Sequence, residues 1–299
     1  MLKKAFSFFS NLYFKLRMSS LIRHLIIYFS QKSKNDFVIT DLQLNIINEI
    51  KKNGYYKSSL NDLLINSNLI TDFENDSESI KNKLLQRLSQ NDDTLFKRGK
   101  KFVARYVEKN TPFCDLRSSV NLALDDVFYG IASNYLNSIP KLTNIDFWYN
   151  IPNASSNKIG SQNWHKDYED KNLLKIFIYL DDVNEFNGPF SFVENSHEYH
   201  KAKLPQNLKR NYPNGVVVDE ETIELFYSKN KIINFAGSKF TVLIVDTSGF
   251  HKGGYIQKGY RYLFTFTFTT FAGISPRNFK FSRSNLKYLT EDKLTSVFS

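Results

Sequence analysis

One cysteine, Cys114, is all the chain holds among 299 residues, and that scarcity excludes an internal disulfide as well as a metal centre built from thiolates. The fold therefore needs no oxidising compartment. Long hydrophobic runs are missing too: about 18 uninterrupted apolar residues, the length of a membrane-spanning helix, occur nowhere. Lys3-Lys4 followed by Ala5 to Phe14 imitates the start of a signal peptide, but Ser7, Ser10 and Asn11 interrupt it and no small-x-small cleavage site follows. Neither a block of like charge nor a low-complexity tract marks out a disordered tail. A globular, cytoplasmic protein is the expectation.

Positive charge is plentiful: 40 Lys and Arg against 30 Asp and Glu leave a formal net charge of +10. The basic residues are dispersed, with small clusters at Lys3-Lys4, at Lys97, Arg98, Lys100 and Lys101, and at Lys209-Arg210. No nucleic-acid-binding motif accompanies them, so the reading is a solvated basic surface without a nucleic-acid partner. Such a surface suits anionic metabolites. Hydrophobic residues make up 41% of the chain, enough for one large core or two modest ones, and all-β barrels reach this length as a single domain.

Along the chain the periodicity changes character once. Leu2, Ala5, Phe6, Phe9, Leu12, Tyr13 and Leu16, then Leu21, Leu25, Ile26 and Phe29, recur at helical spacing. With Lys3, Lys4, Lys15, Arg17, Arg23 and His24 they make residues 1–36 a basic amphipathic helical segment, which either packs on the main domain or touches an anionic membrane surface through residues 1–31. Residues 37–140 read as a helical support region, with helices from Thr40 to Lys52, over 58–67, over 76–90, and from Ser118 to Asn137. After Pro140, short β-branched or aromatic runs take over: Ile145 to Tyr149, Leu174 to Leu180, Pro189 to Val193, Ile232 to Phe235, Phe240 to Val245 and Tyr260 to Phe271. No helix of crossover length separates most of them, which argues against a doubly wound sheet and for an antiparallel barrel or jelly roll over 141–275. Residues 276–299 are left as a C-terminal tail.

Five histidines are present, at 24, 165, 197, 200 and 251. In Trp164-His165-Lys166-Asp167 the imidazole and carboxylate are two residues apart, so on an extended segment both point the same way. Alone, a His-x-Asp pair is more often a hydrogen-bonded surface pair than a metal site. His251, shortly after the apolar strand 240–245, supplies a third donor, and together the three would form the two-histidine, one-carboxylate facial triad that leaves open positions on ferrous iron. Arg261 lies ten residues further on in a Thr- and Phe-rich strand, where an unpaired buried guanidinium would be costly. Its planar fork suits a bidentate pair with a carboxylate.

These segments, with Leu174 to Val183, Asn187-Gly188-Pro189, Asn195-Ser196-His197 and Asp246 to Gly254, resemble the phytanoyl-CoA dioxygenase-like family of iron(II)/2-oxoglutarate oxygenases. The match covers roughly residues 140 to 272. The resemblance implies a mainly β fold with flanking α, a double-stranded β-helix of the cupin-like jelly-roll type behind N-terminal helices. It implies an enzyme using Fe(II), 2-oxoglutarate and O2, with His165, Asp167 and His251 on the metal, Arg261 on the distal carboxylate, and a small-molecule substrate oxidised as succinate and CO2 leave. Asn195 stands where the family usually has Gly. Asp167 also counts against a halogenase, since the related halogenases carry a small residue there.

Other residues carry competing readings. Lys175, Phe177 and Tyr179 share one strand face and are a candidate cavity lining, with Lys175 either a second contact to 2-oxoglutarate or an acidic substrate, or a solvated strand end. His197 reads as structural, His200 as exposed, and Gly253-Gly254 as a turn. Trp164 either walls the metal site or fills the core. Two further functions fit the same residues: a cupin-like metalloenzyme that does not use 2-oxoglutarate, and a non-catalytic binding module on the same barrel.

Overall fold

The computed structural model describes residues 19–31, 39–64, 66–96, 100–152, 160–197 and 216–298. Two antiparallel sheets face each other. The larger places β1 (Tyr55–Ser59), β9 (Thr241–Val245), β5 (Leu173–Tyr179), β11 (Arg261–Thr269), β3 (Lys141–Asn150) and β2 (Val103–Arg105) side by side. The smaller runs β7 (Val216–Val218), β4 (Trp164–Lys166), β10 (His251–Gly253), β6 (Phe190–Val193), β8 (Ile232–Phe235). From β3 to β6, and again from β8 to β11, the chain changes sheet at every step. That alternation is what a jelly roll requires, and it is why no crossover helices separate these strands.

Period-2 alternation divides β5 between two cores. Ile176, Ile178 and Leu180 join a cluster with helical residues on the outer face of the larger sheet, while Phe177 and Tyr179 meet Phe190, Phe192 and Phe235 between the sheets. The outer face is covered by α2 (Asp41–Asn53), α4 (Ser67–Ser89) and α6 (Asp126–Leu136). Thr40 caps α2 through a capping box with Gln43, and Gly54, at φ 91°, ends it in the left-handed conformation that a side chain would strain. Along α4, Ile70, Phe73, Ser77, Ile80 and Leu84 make the buried stripe.

The half expected to be helical also supplies both edge strands of the larger sheet. Tyr55–Ser59 pairs along its whole length with β9, Tyr55 opposite Val245 and Ser59 opposite Thr241. The helix expected over 58–67 is only the four-residue α3 (Leu60–Leu63), started by the Ser59 side chain, before Asn66 caps the long α4. The long helix expected from Ser118 to Asn137 is two: α5 (Arg117–Ala123) stops before Asp125, whose carboxylate accepts from Val127 N and starts α6. Asp125 acts as a cap because that bond competes with helix continuation.

The C-terminal residues pack rather than trail. Asn278 brackets the Ile145 backbone with two side-chain bonds of 3.1 and 2.8 Å, and α7 (Glu291–Phe298) lays Leu294 and Val297 into the outer core beside β3. At the other end, α1 (Ser20–Gln31) is tied to the barrel by a buried ion pair of Arg23 with Asp170. Residues 1–18 and 32–36 of the amphipathic segment lie outside the described residues.

Candidate metal centre and its cavity

His165 and His251 are brought together by sheet pairing. β4 and β10 are antiparallel neighbours with these two residues directly opposite, and their rings lie 4.2 Å apart. Asp167 follows β4 immediately, its backbone N–H donating to Thr247 O at 2.9 Å. His165 Nε2 is 3.9 Å from Asp167 Oδ1, and His251 Nε2 is 3.6 Å from Oδ2. Among the described residues these three form the one group able to hold a metal ion, a donor atom from each lying within 4.8 Å of the others.

The backbone sets which nitrogen faces the metal position. Asn163 O and Gly249 O each lie 2.9 Å from the Nδ1 of His165 and His251. Donation from Nδ1 to those carbonyls leaves the Nε2 lone pairs turned toward the carboxylate, the arrangement metal-bound histidines share. Burial keeps both imidazoles neutral: it lowers His165, and burial followed by the neighbouring His165 pushes His251 down to about 3. Burial opposes ionisation of Asp167, but the Lys175 ammonium holds its carboxyl well below the usual carboxylate range. Two neutral imidazoles and one carboxylate are the protonation state metal binding demands.

A four-residue turn steadies this site. Gly249 N donates to Asp246 O at 3.1 Å. The turn offers Thr247 O to Asp167 and Gly249 O to His251, so one piece of backbone orients two of the three donors. Asp246 is fully buried within it, accepting from Tyr135 OH at 2.5 Å and Ser248 N at 3.0 Å.

The triad opens on a cavity of about 510 Å³ between the sheets. Phe190 stacks on His251 with ring centroids 5.6 Å apart, and Phe177 and Leu263 continue an apolar wall. Beyond them lies Arg261, 5% exposed, whose Nε and Nη1 have no hydrogen-bond partner. Burial lowers its pKa, and the Tyr179 hydroxyl offsets this only in part. Gly253 leaves room for the guanidinium, since a Cβ there would come within 3.2 Å of Arg261 Nη2. Gly253 is thus a strand residue of β10 rather than part of a turn.

Lys175 stands at the other end of this wall. It faces Thr267 of β11, six residues along from Arg261, roughly 20 Å in extended chain. Its ammonium lies 2.5 Å from Asp167 Oδ2, so it is an inward-facing partner of the triad carboxylate and not a solvated strand end. Trp164 points away from the metal position, into a core with Val216, Val218 and Phe250, its indole N–H donating to Glu220. His197 is buried beside Lys51 O at 3.1 Å, away from the triad; His200 lies outside the described residues.

Two cavity residues escaped the sequence reading. Glu169 continues the alternation that brings His165 and Asp167 to one side, a signal legible in His-x-Asp-x-Glu. Arg105 comes from β2, an unanticipated strand, and its guanidinium lies over the Trp148 ring at 4.3 Å; nothing local in the sequence marks it.

No protein-family model matches the chain, and no curated protein matches it by sequence. Solved structures do share its fold. The epimerase SnoN, crystallised with Fe3+, alpha-ketoglutarate and nogalamycin RO, is 12% identical, aligning 76% of this chain with 83% of its own at a TM-score of 0.53. EctD from S. alaskensis with bound Fe is 15% identical over 84% of each chain, also at 0.53. AviO1 from Streptomyces viridochromogenes Tue57 is 13% identical, covering 80% of this chain and 100% of its own at 0.51. At such identities the likeness establishes the fold, and the chain is a jelly roll of the kind these proteins have.

Proposed function

We propose that the protein is an iron(II)- and 2-oxoglutarate-dependent oxygenase acting on a small molecule, within the phytanoyl-CoA dioxygenase-like branch on the strength of its motif order. The observation that carries this reading is one cavity with the His165, Asp167 and His251 donors at one wall and the orphaned guanidinium of Arg261 at another. The donor set fits ferrous iron, with two imidazoles and one carboxylate grouped so that further positions stay open. Arg261 fits the distal carboxylate of 2-oxoglutarate, because a buried cation with two unpaired donors is stable only with an anion to receive them. A triad used without 2-oxoglutarate would leave that arginine unexplained.

Bound iron, 2-oxoglutarate and O2 would supply the oxidising power, one oxygen atom of O2 leaving in succinate and the other in the oxidised substrate, with loss of CO2. The chain's own residues do the rest. His165, Asp167 and His251 hold the metal, and the Asn163 and Gly249 carbonyls fix the imidazole tautomers. Arg261 orients the cosubstrate, and Phe177, Phe190 and Leu263 exclude water between them. Lys175, whose ammonium lies against Asp167 Oδ2, would steady that carboxylate or contact 2-oxoglutarate at its metal-binding end; Arg261 is too far along β11 for the two to share the distal carboxylate. Among the described residues no helix is long and apolar enough to cross a membrane; we place the enzyme in the cytoplasm. Contact of residues 1–31 with a membrane surface is retained as part of the proposal because Leu21, Leu25, Tyr28 and Phe29 of α1 are exposed.

The test is metal titration with 2-oxoglutarate turnover. The parent should bind one Fe(II) and convert 2-oxoglutarate to succinate in its presence. His165→Ala and Asp167→Ala should abolish metal binding at micromolar concentration, and His197→Ala should keep it. Unchanged iron binding in both triad variants would overturn the assignment.

A further inference from the structure

Arg261 stands on β11 directly opposite Asn150, the last residue of β3. Opposite residues of an antiparallel pair send their side chains to one face, with Cβ atoms about 4.5–5.5 Å apart, and both of these line the cavity. They are buried alike, at 5% and 4% exposure. Both also keep hydrogen-bonding capacity in reserve: Nε and Nη1 of the guanidinium and Oδ1 of the amide have no partner. An amide oxygen and a guanidinium are complementary, so a bond between them would relieve an unmet acceptor and an unmet donor together. Two such neighbours that stay unbonded in a buried wall mark a place shaped for a third group that answers both.

The other groups around Arg261 have little to offer such a group. The Tyr179 hydroxyl donates to Phe235 O at 2.7 Å and accepts from Phe190 N at 3.3 Å, so it is committed to backbone. Leu263 on the same strand face is apolar, as is Val103, the β2 partner of Asn150. Gly253 has no side chain, and the guanidinium fills the space one would need. A carboxylate offers about four lone-pair directions, and an arginine fork meets two of them along one edge. The NH2 of a carboxamide can meet another, and being neutral it adds no further buried charge to the ligand-free chain.

Resting on the oxygenase reading, we propose that Asn150 is a second binding residue for the distal carboxylate of 2-oxoglutarate, its amide N–H donating to the carboxylate while its oxygen accepts from Arg261. One short side chain would thereby hold the ligand and the guanidinium in one geometry. Since the two residues share a register position on adjacent strands, they fix where the acid group must lie. Preference for a 2-oxo acid with a distal carboxylate then depends on both of them.

Anaerobic calorimetry on the Fe(II)-loaded full chain tests this with two probes. One is 2-oxoglutarate; the other is 2-oxopentanoate, which keeps the 2-oxo acid end and carries a methyl group where the distal carboxylate would be. Asn150→Ala should weaken 2-oxoglutarate about ten- to hundredfold, the cost of one hydrogen bond to a charged group, and should leave 2-oxopentanoate within about twofold of the parent. Asn150→Asp, nearly the same shape, should weaken 2-oxoglutarate further still, because its carboxylate pairs with Arg261 and repels the ligand, again with 2-oxopentanoate little changed. Each readout is a ratio within one variant, so a general loss of fold or of iron would move both probes together. Loss of both probes in equal measure, or an alanine variant that binds 2-oxoglutarate as tightly as the parent, would overturn the proposal. A parent that does not bind 2-oxoglutarate, or does not prefer it to 2-oxopentanoate, would instead sink the cosubstrate reading and this proposal with it.

Discussion

Replacing Arg261 by methionine should move stability and cosubstrate binding in opposite directions. Without 2-oxoglutarate, the folded chain holds a guanidinium that is 5% exposed, with Nε and Nη1 unpaired and burial lowering its pKa. Each unsatisfied buried donor costs about 1–3 kcal/mol. A methionine of similar reach fills the space beside Leu263 and Gly253 with no polar atom to satisfy, so the ligand-free protein should gain about 2–4 kcal/mol, in line with apolar replacement of buried charges. The same substitution removes the partner of the distal carboxylate and should weaken 2-oxoglutarate by about 2–5 kcal/mol, roughly 30-fold to several thousand-fold. Iron affinity should hardly change, since Arg261 contributes no donor to the triad. Arg261→Lys should recover part of the affinity, a point ammonium making one of the two parallel bonds. Urea denaturation of the metal-free protein gives the first quantity, and anaerobic calorimetry with Fe(II) gives the second. A methionine variant that is less stable than the parent, or that binds 2-oxoglutarate equally well, would refute the argument that the guanidinium is kept for an anion.

Asp246 gives a pH-dependent prediction: burial pushes its carboxyl up to about 6, against Tyr135 and Ser248, which favour the ionised form. The unfolded value is about 3.9, so the folded state binds the extra proton between these limits; stability from this group is present below about pH 4 and lost as pH rises through about 6. Measured by urea melts of the metal-free protein from pH 4 to 7, Asp246→Asn should gain on the parent by up to about 3 kcal/mol, and a difference that stays constant with pH would count against a titrating carboxylate. Arg23→Ala should destabilise the protein by about 3–5 kcal/mol, the cost of stripping one partner from a buried pair, because Asp170 is fully buried and would keep only Thr270 and Lys171 as donors. A loss below about 1 kcal/mol in the same melts would mean that α1 is not tied to the barrel by this pair.

How much of this was legible in the sequence follows from what is local. His165-x-Asp167 fixes two donors on one side of an extended segment because strand period is two, wherever that strand lies. The same alternation assigned Lys175, Phe177 and Tyr179 to one face and Ile176, Ile178 and Leu180 to the other, and the capping box at Thr40 and the left-handed stop at Gly54 follow from a few neighbouring residues. Register and edge pairing are not local. Tyr55–Ser59 becomes a strand because β9 offers a free edge, and α3 is cut short by a cap that local helical spacing does not reveal. Nothing in the sequence separates Lys175 from Arg261 by six residues of β11 or sets Lys175 on Asp167; strand pairing does. Arg105 enters the cavity only because β2 joins the sheet beside β3. Sequence alone thus determined the donor types and the faces they occupy, since these depend on backbone period. Tertiary structure decided which charges meet and which stay unmet, because that depends on long-range pairing whose entropy cost is met only when the whole barrel closes.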